Sequence, residues 1–268
     1  MNGENIRVLI WGKTYPELSS RYTETVCTAG VRENGSPIRL YPVPLRYLEG
    51  ENQYKLYDVI EVEACRSSSD PRPESYKLRT ESIARVSHVD TDEHGWRARR
   101  EWIFKDSSWQ FSCVEELKVA EDATHRSLGV ISPGVIERIH VKRKSKAERA
   151  EYEKKVTEQR AQPDLFRKEY KSLAFCPFEI RLRWRCPSKC SECSNNPHDM
   201  QVLDWGLMEL ARKSGWDPEP ARTRLEELSA SGKYDFRLFM GNFRLHLKSF
   251  GIVGLWYPKI YAQRSLSL

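Results

Sequence analysis

Apolar and polar residues alternate with a period of two through much of this chain. The pattern is clearest at Phe178, Ile180, Leu182 and Trp184, which share one strand face against Glu179, Arg181, Arg183 and Arg185 on the other. Residues 6–11 form a short apolar strand. Residues 29–41 read as a hairpin turning at Asn34-Gly35, a dipeptide that accepts positive φ and predicts a type I′ turn. Pro37, lacking an amide donor, belongs at an edge or a strand start, and Pro42 and Pro44 close that strand. Residues 58–65 and 82–89 are further strands, separated by a loop at 67–75 whose Pro71 and Pro73 place it on the surface. Strands at 128–131 and 135–142 follow. The second should turn Val135, Ile139 and Val141 inwards and Arg138, His140 and Lys142 outwards.

Helical signals are fewer. Residues 115–123 have helical propensity. Ser145 and Glu148 have capping-box spacing at the start of an exposed helix reaching Arg160, with Pro163 ending it. Residues 200–213 predict an amphipathic helix, and Asp217-Pro218 starts another that runs to Ser229. Strands at 234–240 and 249–256 complete the chain, with Arg244, His246 and Lys248 at spacing two between them. Strands that follow one another without helical crossovers favour antiparallel pairing. The pattern therefore predicts an α+β fold: a mostly antiparallel, β-rich lobe over 1–144, an exposed connecting helix over 145–162, and a smaller metal-stabilised α/β lobe over 163–268.

Composition narrows the class. Hydrophobic residues make up 39% of the 268, and no run of them is long enough to cross a bilayer. Residues 1–5 lack the basic start of a secretory signal, so a cytoplasmic, bacterial-style protein is expected. In that setting seven cysteines, an odd number, read as reduced thiols or metal ligands rather than a disulfide framework. The net charge of +6 is concentrated. Residues 138–189 carry 16 Lys and Arg against 7 Asp and Glu, a local +9 that leaves the rest of the chain at −3. Such an excess suits a polyanion, although a solvated basic helix accounts for part of it.

The basic strand runs directly into Cys186, Cys190, Cys193 and His198, four candidate metal ligands in thirteen residues. Turns rich in Pro, Ser and Asn let such closely spaced side chains converge on one ion. Zinc is the first expectation, an iron–sulfur cluster the alternative, and Cys176 a possible replacement ligand. The Cys-x3-Cys-x2-Cys triplet resembles the cluster signature of radical SAM enzymes. Two features depart from it: Glu192 stands where an aromatic residue is usual, and only 75 residues follow Cys193.

The wider segment, Cys186-x3-Cys190 with His198-Asp-Met200 and Asp204-Trp205, resembles uncharacterised bacterial proteins. The resemblance extends to Glu24-Thr-Val-Cys27-Thr-Ala-Gly30, Arg39-Leu-Tyr-Pro42 and Gly241-Asn242, and it carries no activity.

The expected function is nucleic-acid binding, DNA or RNA. Arg181, Arg183, Arg185, Arg138, His140 and Lys142 would contact phosphates, with Arg39 and Tyr41 contacting phosphate and base. The alternative is a DNA- or RNA-processing hydrolase, a nuclease or base-excision glycosylase, with Asp199, Asp204 or Glu24 as its working carboxylate. Against that, His198 is a metal ligand and Asp199 a helix cap in the simpler reading. Cys27 has no histidine near it in sequence to activate it as a nucleophile. A zinc-stabilised protein-interaction scaffold is the third class. The chain has no phosphate-binding Gly-rich loop, no nucleophile elbow and no His-Glu-x-x-His.

Overall fold

The computed structural model describes residues 3–19, 23–92, 95–161, 173–187, 190–230 and 232–260. The expected helix stop at Pro163 and the boundary near 162 lie outside these residues.

The first seven strands build around β1 (Glu4–Lys13). It pairs antiparallel with β3 (Thr23–Arg32) on one side and β5 (Asp58–Arg66) on the other. Next to β3 lies β4 (Pro37–Val43), which runs parallel to β6 (Ser75–Leu78), and β6 pairs back onto β5. The five strands thus close into a barrel. A short β2 (Glu17–Ser19) flanks β3, and β7 (Ala84–His88) flanks β5. Ile6, Val8, Ile10, Ile38, Leu40, Ile60 and Val62 fill the interior. Leu9 and Trp11 point outwards from β1 and are also buried, which is why this strand reads as an unbroken apolar run.

The Asn34-Gly35 hairpin is present, but its turn differs from type I′. Only Gly35 has positive φ, at 86°, while the Gly35 amide donates to the Arg32 carbonyl. This is the three-residue form, in which glycine supplies the left-handed bulge position. Pro37 opens β4 as expected, and the Tyr41–Pro42 bond is cis. The 67–75 loop is not all surface: Ser67, Arg72, Glu74 and Ser75 are buried.

After α1 (Arg97–Ile103) the chain builds a second seven-stranded sheet. In chain order its elements are β8 (Gln110–Phe111), α2 (Val114–Thr124), β9 (Leu128–Ile131), β10 (Val135–Arg143), α3 (Lys146–Ala161), β11 (Phe178–Arg185), α4 (Ser191–Asn195), β12 (His198–Val202), α5 (Trp205–Lys213), α6 (Glu219–Ser229), β13 (Arg237–Phe243) and β14 (His246–Trp256). The strand order is β10-β11-β12-β14-β13-β9-β8, with β9 and β10 joining residues far beyond them in sequence. Most pairings are antiparallel; β12–β14 and β8–β9 are parallel. Phe178, Ile180, Leu182 and Trp184 pack into a core with Leu207, Met208, Ala211, Leu225 and Leu228 of α5 and α6. The Ser145–Glu148 capping box forms at the start of α3.

Two expected placements are corrected. Val135 is 61% exposed, because β10 bulges between Ile136 and Arg138 and shifts the register of its first residues. Asp199 and Met200 continue a strand rather than starting a helix; α5 begins at Trp205 and its cap is Asp204.

The two sheets share a buried cluster. Trp11 of β1 stacks on Phe239 of β13 with ring centroids 4.4 Å apart, and Trp109 stacks on both. Among the described residues, no helix is long and apolar enough to cross a membrane.

Candidate metal centre and arginine cleft

Cys186 directly follows β11, Cys190 and Cys193 flank and enter α4, and His198 opens β12. The metal-ligand types therefore cluster in one hairpin connection. The ligand atoms of all four lie within 4.8 Å of one another, and the group could hold a metal ion. His198 Nε2 is 3.5 Å from Cys186 Sγ and 3.8 Å from Cys190 Sγ. A Cys3His tetrahedron with metal–ligand bonds of about 2.0–2.3 Å has edges of about 3.5–3.8 Å, and these two separations match it. Burial holds the His198 imidazole below its ordinary pKa, which keeps the ring neutral and able to offer a lone pair. Burial also pushes the Cys186 thiol up, so ligation there has to draw off its proton.

Neighbouring elements pin the knot. Arg185 donates to the Cys193 carbonyl, Glu115 of α2 accepts from the Ser191 amide at 2.9 Å, and Lys118 pairs with Glu192 at 2.7 Å. Cys176 is not part of this group; its thiol donates to the Phe178 carbonyl. Cys113, at the start of α2, was not anticipated. Its sulfur lies within 4.8 Å of Cys190 and of a Glu115 oxygen. Sequence spacing gives no hint of it, since it is 77 positions before Cys190.

The outer face of β10 and β11 brings Arg138, His140, Lys142, Arg181 and Arg183 together across the pair, with Arg185 at its end. Carboxylates on the same face compensate much of this charge. Arg183 and Arg185 share Glu137, and Arg181 binds Asp199 at 2.8 Å and Glu179 at 2.9 Å. His140 also contacts Asp199. Burial alone would raise the Asp199 pKa, but Arg181 and His140 outweigh it and hold the carboxyl below its usual value.

The candidate carboxylates are dispersed. Asp199 belongs to that ion-pair face. Asp204 is buried and accepts the Leu207 amide at 3.0 Å. Glu24 is buried in the barrel and accepts from Arg46 at 2.9 Å. The three carboxylates thus sit in different elements, β3, β12 and the cap of α5.

Arg39 and Tyr41 lie on the outer face of β3 and β4 with Thr25 and Cys27, where β13 and β14 cover the barrel. A cleft of about 160 Å³ opens there, also lined by Thr14, Arg72, Gly241 and Asn242. Arg39 is 5% exposed. Its Nη1 donates to Cys27 Sγ at 3.1 Å and its Nη2 to the Ser127 carbonyl at 3.2 Å. Arg72 is held by Asp70 at 2.7 Å and donates to Asn242, 170 residues away.

Residues 107–268 match the family model described as Domain of unknown function (DUF8757). The chain belongs to this family. Residues 4–105 match a second model, Domain of unknown function (DUF8758). The junction falls between α1 and β8, where the chain passes from the barrel to the second sheet. No curated protein matches the chain. Neither family description carries an activity, in keeping with a resemblance that brought none.

Proposed function

We propose that this protein binds nucleic acid, using the outer face of β3 and β4 and the cleft above it, with the β10–β11 face as a secondary contact. The observation that carries the reading is the cleft: Arg39, Arg72, Tyr41 and two threonines gathered over adjacent strands of a closed five-stranded barrel. Numbered within the barrel alone, the strands are ordered 1-2-3-5-4 and close back on 1, with 3 and 5 parallel. This is an OB-type connectivity, and such barrels bind oligonucleotides on the face of strands 2 and 3, here β3 and β4. That support is an analogy of fold, to which the side chains in the cleft add the chemistry. Arginine and aromatic groups side by side suit a phosphate and an unstacked base.

Zinc is the ion we assign to the Cys3His group, on donor type and four-fold closure. In this reading it staples β11 to β12 and stabilises the C-terminal sheet, and no step is asked of it. The dispersion of Glu24, Asp199 and Asp204 gives a hydrolytic reading little support.

End-labelled single- and double-stranded DNA and RNA, incubated with and without chelator, test the proposal. Retardation without cleavage or abasic product is the expected result. Absence of retardation for all four at low salt overturns the reading, and a metal-dependent or abasic product replaces it with an enzyme.

A further inference from the structure

The cleft over β3 and β4 is rich in donors and poor in acceptors. Arg39 is a buried cation with no carboxylate hydrogen-bonded to it, and its Nε has no hydrogen-bond partner among the described residues. Glu74, whose carbonyl accepts the Arg39 amide, turns its carboxylate to other partners: it accepts from the Ser127 amide and hydroxyl and pairs with Arg126 at 3.3 Å. A buried guanidinium left in this state is costly unless something else supplies the negative charge.

The hydroxyls around it point the same way. Thr14 Oγ1 accepts the Cys27 amide at 3.2 Å, which leaves its own O–H to donate. Thr25 Oγ1 and Tyr41 Oη lie 3.2 Å apart; whichever donates to the other, one O–H remains. Gly241 forms the opposite wall, and a Cβ there would stand 3.3 Å from Arg39 Nη2. Three donors thus converge on a space of about 160 Å³, similar to one that takes a benzene ring. At the mouth Arg244 and Glu17 are exposed and of opposite sign.

We propose that this cleft is a binding site for a single phosphoryl group, with Arg39 as its buried counter-ion and Thr14 with the Thr25–Tyr41 pair as neutral donors. Its volume excludes a whole nucleotide but admits a phosphoryl group whose remainder stays outside. A tetrahedral oxyanion offers acceptors to all three donors, and the guanidinium makes the strongest of the bonds. The chemistry is shared by free phosphate and by a phosphate carried on a nucleic-acid strand. The second source rests on the function proposed above; the site itself does not.

The test uses the full metal-loaded chain at fixed ionic strength, with inorganic phosphate as probe and acetate as control, read by calorimetry and by thermal unfolding. Phosphate is expected to bind with one site per chain and to raise the unfolding midpoint through linkage, while acetate does neither. Arg39→Met, which keeps the volume and removes the charge, should weaken phosphate at least tenfold and leave the midpoint without phosphate unchanged or higher. Thr14→Val gives an independent variant, expected to weaken phosphate several-fold. Equal stabilisation by acetate, or phosphate affinity untouched in both variants, overturns the site. A 5′-phosphorylated single strand and the same strand with a 5′-hydroxyl separate the sources. If phosphate binds and neither strand does, the site stands and the nucleic-acid reading falls. If the strands bind wild type and Arg39→Met alike while phosphate does not bind, the site falls and that reading survives.

Discussion

Trp184 and His198 face one another across β11 and β12, with ring centroids 4.9 Å apart. The tryptophan is fully buried in the core of the second sheet, and the histidine is one of the four candidate metal ligands. Metal ligation and core packing therefore meet in one cross-strand pair. Ligand binding of this kind is coupled to folding, since the unfolded chain holds no preformed site. Replacing Cys190 with Ser should release one equivalent of metal per chain and cost on the order of 3 kcal/mol. At this chain length that is a fall of roughly 6–12 °C in unfolding midpoint. Metal analysis beside thermal unfolding checks it, and an unchanged midpoint with unchanged metal would remove the knot from the fold.

The paired arginines of β11 and the unpaired cations of β10 should respond differently to salt. Arg181, Arg183 and Arg185 have carboxylate partners, whereas Arg138 and Lys142 have none among the described residues. A cation already neutralised by protein releases little counterion when it meets a phosphate. Replacing Arg138 and Lys142 with Gln should flatten the logarithmic salt slope of duplex binding by up to about 2 units. The triple Gln variant of β11 should change it by less than about 1 unit. Retardation across a salt series decides the order, and a larger effect from the triple variant would reverse this assignment of contacts.

How much of this was legible follows from sequence separation. The β11 alternation and the four ligands are local, so period and spacing suffice to find them. Barrel closure depends on β1 meeting β5 and β4 meeting β6, pairings that no local pattern reports. Arg72 sits between two prolines in a loop that composition assigns to the surface, yet its guanidinium crosses to Asn242 in the other sheet. Glu137 was hidden by a bulge, which sets it on the face of the arginines it neutralises. Asp199 was misplaced because good helix formers follow it, while pairing with β11 extends the strand to Val202.

Barrel closure makes Gly30 unusually intolerant. A Cβ on Gly30 would lie 2.4 Å from Val8 Cγ1 and 2.6 Å from the Leu9 carbonyl oxygen. The backbone atom cannot turn aside, so β1 and β3 would have to separate. Gly30→Ala should cost about 3 kcal/mol, in the upper range of overpacking. Gly50→Ala, at φ 55° with open space around it, should cost about 1 kcal/mol. Denaturant unfolding of both variants checks the ratio, and equal losses would mean the strands can move apart cheaply.

Lys13 and Asp204 should give the stability profile a minimum near neutrality. Burial pushes the Asp204 carboxyl up to about 6, against amide bonds from Leu207 and Gly206 and the charge of Lys13 that lower it. Burial pulls Lys13 down to about 8, partly offset by Asp58 and Asp204. Between about pH 4 and 6 the folded Asp204 keeps a proton that the unfolded chain has released, so this group makes stability fall as pH rises. Between about pH 8 and 10.5 the unfolded chain keeps a Lys13 proton that the folded chain has lost, so stability rises with pH. Asp204→Asn retains a good helix cap and should remove roughly 2 kcal/mol of the acid-side decline. Lys13→Met should flatten the alkaline limb and, by removing a charge that lowers the Asp204 carboxyl, deepen the acid-side decline. Denaturant midpoints from pH 4 to 10 test both, and an acid limb unchanged in Asp204→Asn would show that another group is responsible for it.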